Sequence, residues 1–140
     1  MDLREVADRL EINEVIARYC HALDLKDWPA FRALFTEDAA LDFTAFDGPK
    51  GGVSDVEAFL RPIVESLAGT QHMTSAVMID LDGDEASARS AAIVPMTANE
   101  GGVEKTMFNG LWYEDKLVRT PSGWRFRERT QVRGWVFTPA

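Results

Sequence analysis

The chain has 140 residues, 46% of them apolar and 27% charged. These are the proportions of one folded domain spanning residues 1–140, and they exclude a disordered chain. Fifteen basic against 23 acidic residues give a formal net charge of −8, which excludes a general attraction to nucleic acid or anionic membrane. The single cysteine, Cys20, excludes an intrachain disulfide. The opening Met1-Asp2-Leu3-Arg4-Glu5 lacks the apolar run of a signal peptide. No stretch approaches the roughly 20 apolar residues of a membrane span, so the sequence reads as a cytoplasmic protein with no membrane partner.

Asp2 followed by Glu5 has the spacing of a capping box and starts a first helix. Its expected apolar stripe is Leu3, Val6, Leu10, Ile12, Ile16, Tyr19 and Leu23, and it should end near Leu23 or Asp24. A short second helix is expected from about Trp28 to Phe35, with Asp27 as N-cap and Pro29 in its first turn. Ala39 to Phe43 reads as a strand, and Thr44 to Gly52 as a loop. A third helix follows from about Ser54 to Leu67, with Ser54 as N-cap, Val56, Phe59, Leu60, Ile63 and Leu67 as its stripe, and a kink at Pro62.

Beyond Gln71 the pattern is β. Thr70 to Leu81 and Glu85 to Ala98 flank the turn Asp82-Gly83-Asp84, and Pro95 implies a bulge or an edge. Val103 to Leu117 and Trp124 to Phe137 complete an antiparallel meander. Helices at one end and strands at the other predict an α+β fold, with a curved antiparallel or mixed sheet wrapped around the N-terminal helices.

Tyr19, Asp24 and His72 are the residues best suited to proton-transfer chemistry. Histidine titrates near neutrality and can take a proton. A carboxylate on one ring nitrogen fixes the tautomer and stabilises the imidazolium, and a tyrosine hydroxyl can steady charge on a substrate oxygen. Each also has a plainer reading: His72 as a satisfied strand residue, Asp24 as the start of a turn, Tyr19 as core. His21, two residues after Tyr19, faces another side of the helix. Cys20 reads as a small buried hydrophobe.

Two histidines and one cysteine without a paired-histidine motif disfavour a metal site. The acidic turn Asp80 to Glu85 lacks the spacing of a calcium loop. Arg125, Arg127, Arg129 and Arg133 alternate on the last strand opposite Trp124, Phe126, Thr130 and Val132. They form either a solvated or subunit-facing side, or one of them, Arg129 or Arg133, turns inward toward a substrate oxyanion. Trp28, Phe31, Phe43, Phe46, Met73, Met96, Phe108 and Trp112 could wall an apolar pocket, with Asn109 as a polar contact.

Several segments together resemble the SnoaL-like (nuclear transport factor 2-like) superfamily. They are Ile16-Ala17-Arg18-Tyr19 with Asp24, Trp28-Pro29-Ala30-Phe31, Leu34 to Ala39, Gln71-His72-Met73, Leu81 to Ala86, and Gly123-Trp124-Arg125-Phe126. The superfamily includes polyketide cyclases, scytalone dehydratase, bile-acid 7α-dehydratase and hexachlorocyclohexane dehydrochlorinase, and the chain also resembles the β subunits of ring-hydroxylating dioxygenases. The resemblance implies a cystatin-like α+β barrel with a cone-shaped pocket. It also implies an Asp24–His72 dyad with Tyr19 as in the dehydratases. From the residues themselves, Trp28, Phe43, Asn109, Trp112 and Arg129 are the expected substrate contacts, and no cofactor or metal is expected. The function expected is a cofactor-independent lyase or isomerase acting on a small hydrophobic cyclic molecule, in a homo-oligomer (dimer or trimer). The alternative is a non-catalytic ligand-binding or assembly module. Fold alone does not decide between them.

Overall fold

A computed structural model of the chain describes residues 1–139. The first helix, α1, spans Leu3–Asp24, and its capping box is formed: the Asp2 carboxylate accepts from Glu5 N–H at 2.8 Å. The inward face holds Ile12, Val15, Ile16, Tyr19 and Leu23, as the period requires. The first two turns depart from the expected stripe: Leu3 is 88% and Leu10 67% exposed, Val6 is exposed too, and Asp8 is buried instead. The reason is electrostatic. Asp8 accepts from Arg119 Nη2 at 2.8 Å and from Trp124 Nε1 at 3.1 Å, and that pairing rotates the polar side of the turn inward.

Helix α2 is shorter than expected, Trp28–Arg32, capped by Asp27 on Ala30 N–H at 3.0 Å. Strand β1 begins at Phe35, running Phe35–Asp42, because it pairs parallel to the last strand of the chain. Leu34 C=O already accepts from Phe126 N–H at 2.8 Å, so tertiary pairing overrides the local helical pattern. A 3₁₀ turn (Thr44–Phe46) and strand β2 (Lys50–Gly51) occupy the expected loop. Helix α3 spans Val53–Ser66 and is capped from Asp55, which accepts from Gly52 N–H at 3.0 Å, rather than from Ser54.

The remaining strands are β3 (Gly69–Thr70), β4 (Met73–Asp82), β5 (Glu85–Glu100), β6 (Val103–Thr120) and β7 (Gly123–Phe137). They join β1 and β2 in a mixed sheet of order β2-β1-β7-β6-β5-β3, with β4 also on β5. Among the described residues, β1–β7 is the one parallel pairing. Pro95 produces neither bulge nor edge: the β5–β6 ladder runs unbroken through it, and on the other side it faces the gap between β3 and β4. The missing N–H therefore breaks no ladder.

Two bulges in β7 shape the interior. The β6–β7 register skips Arg127 and then Gly134. The first bulge reverses the alternation of side chains. Trp124 and Phe126 point inward, and after the bulge so does Arg129, on the same side. Period 2 alone placed these residues opposite one another. The sheet coils around α1, and its inward residues Leu41, Leu117, Trp124 and Phe126 share one buried core with that helix.

Asp8 is the polar pivot of this packing. Arg119, over the Trp124 ring at 4.9 Å, also binds Asp84 at 2.9 Å. The Arg119 hydrogen bond holds the Asp8 carboxyl below the usual range. A depressed carboxylate stabilises the fold above its unfolded pKa of about 3.9, and that contribution is lost as pH falls through the folded value. Replacing Asp8 by Asn should lower unfolding free energy at pH 7 by about 2 kcal/mol. In urea titrations, the gap to wild type should be constant above about pH 5 and close below about pH 4.

Candidate active site

Asp24 ends α1, and His72 lies between β3 and β4, so the helix terminus meets the sheet where its edge strand is interrupted. The Asp24 carboxylate makes three contacts with one residue. His72 Nδ1 is 2.7 Å from Oδ1, and the His72 backbone N–H donates to Oδ2 at 2.9 Å and to Oδ1 at 3.1 Å. An ionised carboxylate only accepts, so Nδ1 carries the hydrogen and Nε2 is left as an acceptor. Nε2 has no protein partner among the described residues. One turn back, Cys20 is buried with its Sγ 3.1 Å from Thr74 Oγ1, a second tie between α1 and β4.

His72 lines a cavity of about 390 Å³, a volume suited to a small-molecule ligand. Phe59 and Ile63 of α3, Phe46 and Asp47 of the 44–47 segment, and Met96 and Met107 of the sheet give it apolar walls with one carboxylate. Asn109, Tyr113 and Gln131 add polar groups. Asn109 Nδ2 donates to Val94 C=O and lies 3.3 Å from Met96 Sδ, which leaves Oδ1 without a protein partner. A groove of about 530 Å³ on the other side of α1 is lined by Glu14, Arg18, His21 and Arg125. His21 is exposed there and makes no side-chain hydrogen bond among the described residues.

Tyr19 is packed behind this wall. Its ring centroid is 6.2 Å from His72 and 5.5 Å from Tyr113, both edge to face, and Tyr113 is the phenol that lines the cavity. Below both lies Arg129, with 0% exposure, its guanidinium carbon 3.7 Å from the Tyr113 centroid, 4.1 Å from Tyr19 and 4.4 Å from Phe126. Its nitrogens make no hydrogen bond among the described residues, and Asp115 stands 3.5 Å from Nη1. Burial pushes the Tyr19 phenol well above its ordinary value and Tyr113 in the same direction, with Arg129 opposing. Both phenols are therefore protonated donors at neutral pH. Burial pushes Asp115 up to about 6, against the pull of Arg129.

The other expected contacts lie elsewhere. Trp28 is buried in the core, with Nε1 donating to Glu65 at 3.1 Å. Phe43 is buried on the inner face of the chain just after β1, outside the cavity lining. Trp112 faces outward under Arg89, 37% exposed, because strand alternation that turns Asn109 and Leu111 in must turn Trp112 out. Phe108 lies on the same outer side, against Phe137. Arg129 turns inward but is sealed by aromatic rings and does not line the cavity. Tyr113, Gln131 and Asp47 do line it and were missed. The Asn109–Leu111 alternation carried the signal for Tyr113; Gln131 lies beyond a bulge and Asp47 in a loop with positive φ, which periodicity does not reach. No three His, Cys, Asp or Glu side chains converge as metal ligands among the described residues.

Fold and site together define an open α+β cone whose cavity carries a carboxylate–histidine pair. The profile of the SnoaL-like domain matches residues 4–130, and the chain belongs to that family. It is 32% identical over 133 residues to the uncharacterized protein Rv2910c of Mycobacterium tuberculosis, covering 95% of this chain and 90% of that one. The Kfla4162 protein of Kribbella flavida has a similar structure, with TM-score 0.85, 23% identity and 95% coverage of each chain. So has a hexachlorocyclohexane dehydrochlorinase (LinA, type 2), with TM-score 0.84, 14% identity, and coverage of 100% of this chain and 94% of that one.

The tautomer argument is open to direct measurement. Long-range ¹H–¹⁵N correlation spectra of the wild type at pH 8 should show His72 as the Nδ1–H form. Asp24→Leu should populate the Nε2–H form instead, because the acceptor that holds the Nδ1 proton is gone. An Nε2–H signal in the wild type would contradict the assignment.

Proposed function

We propose that the protein is a cofactor-independent lyase or isomerase that removes a proton from a small, hydrophobic cyclic substrate. The observation that carries this reading is the 2.7 Å Asp24–His72 contact beside an apolar cavity, with Nε2 unpartnered. In the proposed step, Nε2 takes a proton from a carbon next to a carbonyl or leaving group. The C–H electron pair becomes the new double bond. In an elimination the leaving group departs with its own bonding pair; in an isomerisation the proton returns at another carbon. Asp24 holds the ring and stabilises the imidazolium. Tyr113, backed by Tyr19 and Arg129, donates to the substrate oxygen on which charge develops. A hexachlorocyclohexane dehydrochlorinase among the structures of this fold lends support, since its name describes an elimination from a halogenated ring. The non-catalytic alternative calls for a His72 sealed in core; its place in the cavity lining speaks for the catalytic reading.

Turnover is to be screened with cyclic hydroxy-ketones and halogenated rings, with solvent-deuterium incorporation at the activated carbon as a second readout. His72→Ala should cost at least about 100-fold in rate, and Tyr113→Phe about 100-fold in kcat. Unchanged turnover in folded His72→Ala would sink the proposal.

We also infer a homo-oligomer. The chain's own helix α1 covers Trp124 and Phe126, but Trp135 is 46% and Phe137 57% exposed at the end of β7. Light scattering should give a dimer or trimer; a monomer at micromolar concentration would reject it.

A further inference from the structure

Three of the five polar side chains in the cavity lining, Asn109, His72 and Asp47, offer a ligand only acceptors. Asn109 is buried and has spent its donors on Val94 and Met96, so Oδ1 is the atom it can offer. The reverse amide orientation would set Oδ1 against the Val94 carbonyl oxygen, so the contact fixes the assignment. Nε2 of His72 is a second acceptor, because Nδ1 holds the proton on Asp24. The Asp47 carboxylate is a third; its backbone has φ +64°, and it lines the cavity beside Phe46. Against these stand the Tyr113 hydroxyl, which can donate once, and the Gln131 amide, which can do either.

The charges point the same way. Among the described residues, no Lys or Arg lines the cavity. Arg129 is fully covered and already stands 3.5 Å from Asp115. An anionic ligand would leave water for an apolar site offering one carboxylate and no cation, which is unfavourable on both counts. The formal charge of −8 adds long-range repulsion.

We propose, resting on the reading of this cavity as the substrate site, that it takes uncharged or ammonium-bearing ring compounds carrying at least one O–H or N–H donor. It rejects carboxylates and phosphates, with Asp47 as the residue that discriminates charge and Asn109 as the fixed acceptor for the donor.

The test is equilibrium binding to the full chain of three ligands with one two-ring skeleton: 2-tetralol, 2-aminotetralin and tetralin-2-carboxylate, by titration calorimetry at low and at 0.5 M salt. The alcohol should bind at least about tenfold more tightly than the carboxylate. The amine should bind at least as well as the alcohol, and its advantage over the carboxylate should shrink at high salt. Asp47→Asn should bring the amine-to-carboxylate ratio down by about threefold, the scale of one exposed charge pair. Asn109→Leu should weaken the alcohol by about fivefold, the loss of one hydrogen bond. Carboxylate binding equal to that of the alcohol overturns the proposal, as does failure of all three to bind at millimolar concentration. An unchanged ratio in Asp47→Asn removes the role given to that residue. Binding in the expected order with no turnover or deuterium exchange of any ring substrate would instead defeat the catalytic reading and leave this one standing.

Discussion

One carboxylate holds the two halves of this molecule in register. Asp24 stands at the C-terminal end of α1, where the helix dipole disfavours a negative charge. It is kept there by donors from the sheet: the His72 backbone N–H reaches both oxygens and the His72 ring reaches one. These contacts fix the end of α1 against the break between β3 and β4, and the Cys20–Thr74 contact repeats the tie one turn earlier. The position of Tyr19 follows, because it shares that last stretch of helix. The position of the cavity follows too, since its wall contains the ring that Asp24 orients.

The floor beneath the cavity depends on a different constraint. A bulge at Arg127 reverses the face of β7 and carries a guanidinium into the core. A fully buried cation is costly unless its surroundings compensate. Here three aromatic faces lie within 4.4 Å and Asp115 at 3.5 Å. Burial pushes the Asp115 carboxyl up to about 6, and Arg129 pulls it the other way. The floor of the cone is therefore polar, with a guanidinium facing a carboxyl, while its wall offers several acceptors. Arg129 can act on Tyr113 through the ring it stacks on without offering a ligand its own hydrogens.

Much of this was legible in the sequence because it rests on local patterns. The Asp2–Glu5 spacing gave the start of α1, the Asp82-Gly83-Asp84 turn gave the β4–β5 hairpin, and the ends of helix and strand placed Asp24 and His72. What was not legible depends on partners far along the chain. Leu3, Val6 and Leu10 have helical spacing but are exposed, because Asp8 finds Arg119 and Trp124 more than a hundred residues away. Arg129 and Gln131 lie past a bulge that strict alternation does not foresee. Trp112 was misplaced for a simpler reason: with Asn109 inward, the same alternation requires Tyr113 in and Trp112 out.

Under the proposed proton transfer, the Asp24–His72 pair would serve a reaction better than binding alone. With a neutral ring, Asp24 gains a hydrogen bond from Nδ1, and a partly buried carboxylate at a helix C-terminus is a high cost for orienting one acceptor. Once Nε2 takes a proton, the same 2.7 Å contact becomes an ion pair in a cavity walled by Phe46, Phe59 and Met96, where the effective dielectric is low. The interaction is thus stronger in the protonated state than in the resting one. A strengthening of this kind lowers a barrier, whereas an equal interaction in both states would improve only affinity. Under the proposed chemistry, Tyr113 does the same at the other end of the substrate, since a protonated phenol beside a guanidinium donates more strongly as oxygen charge develops.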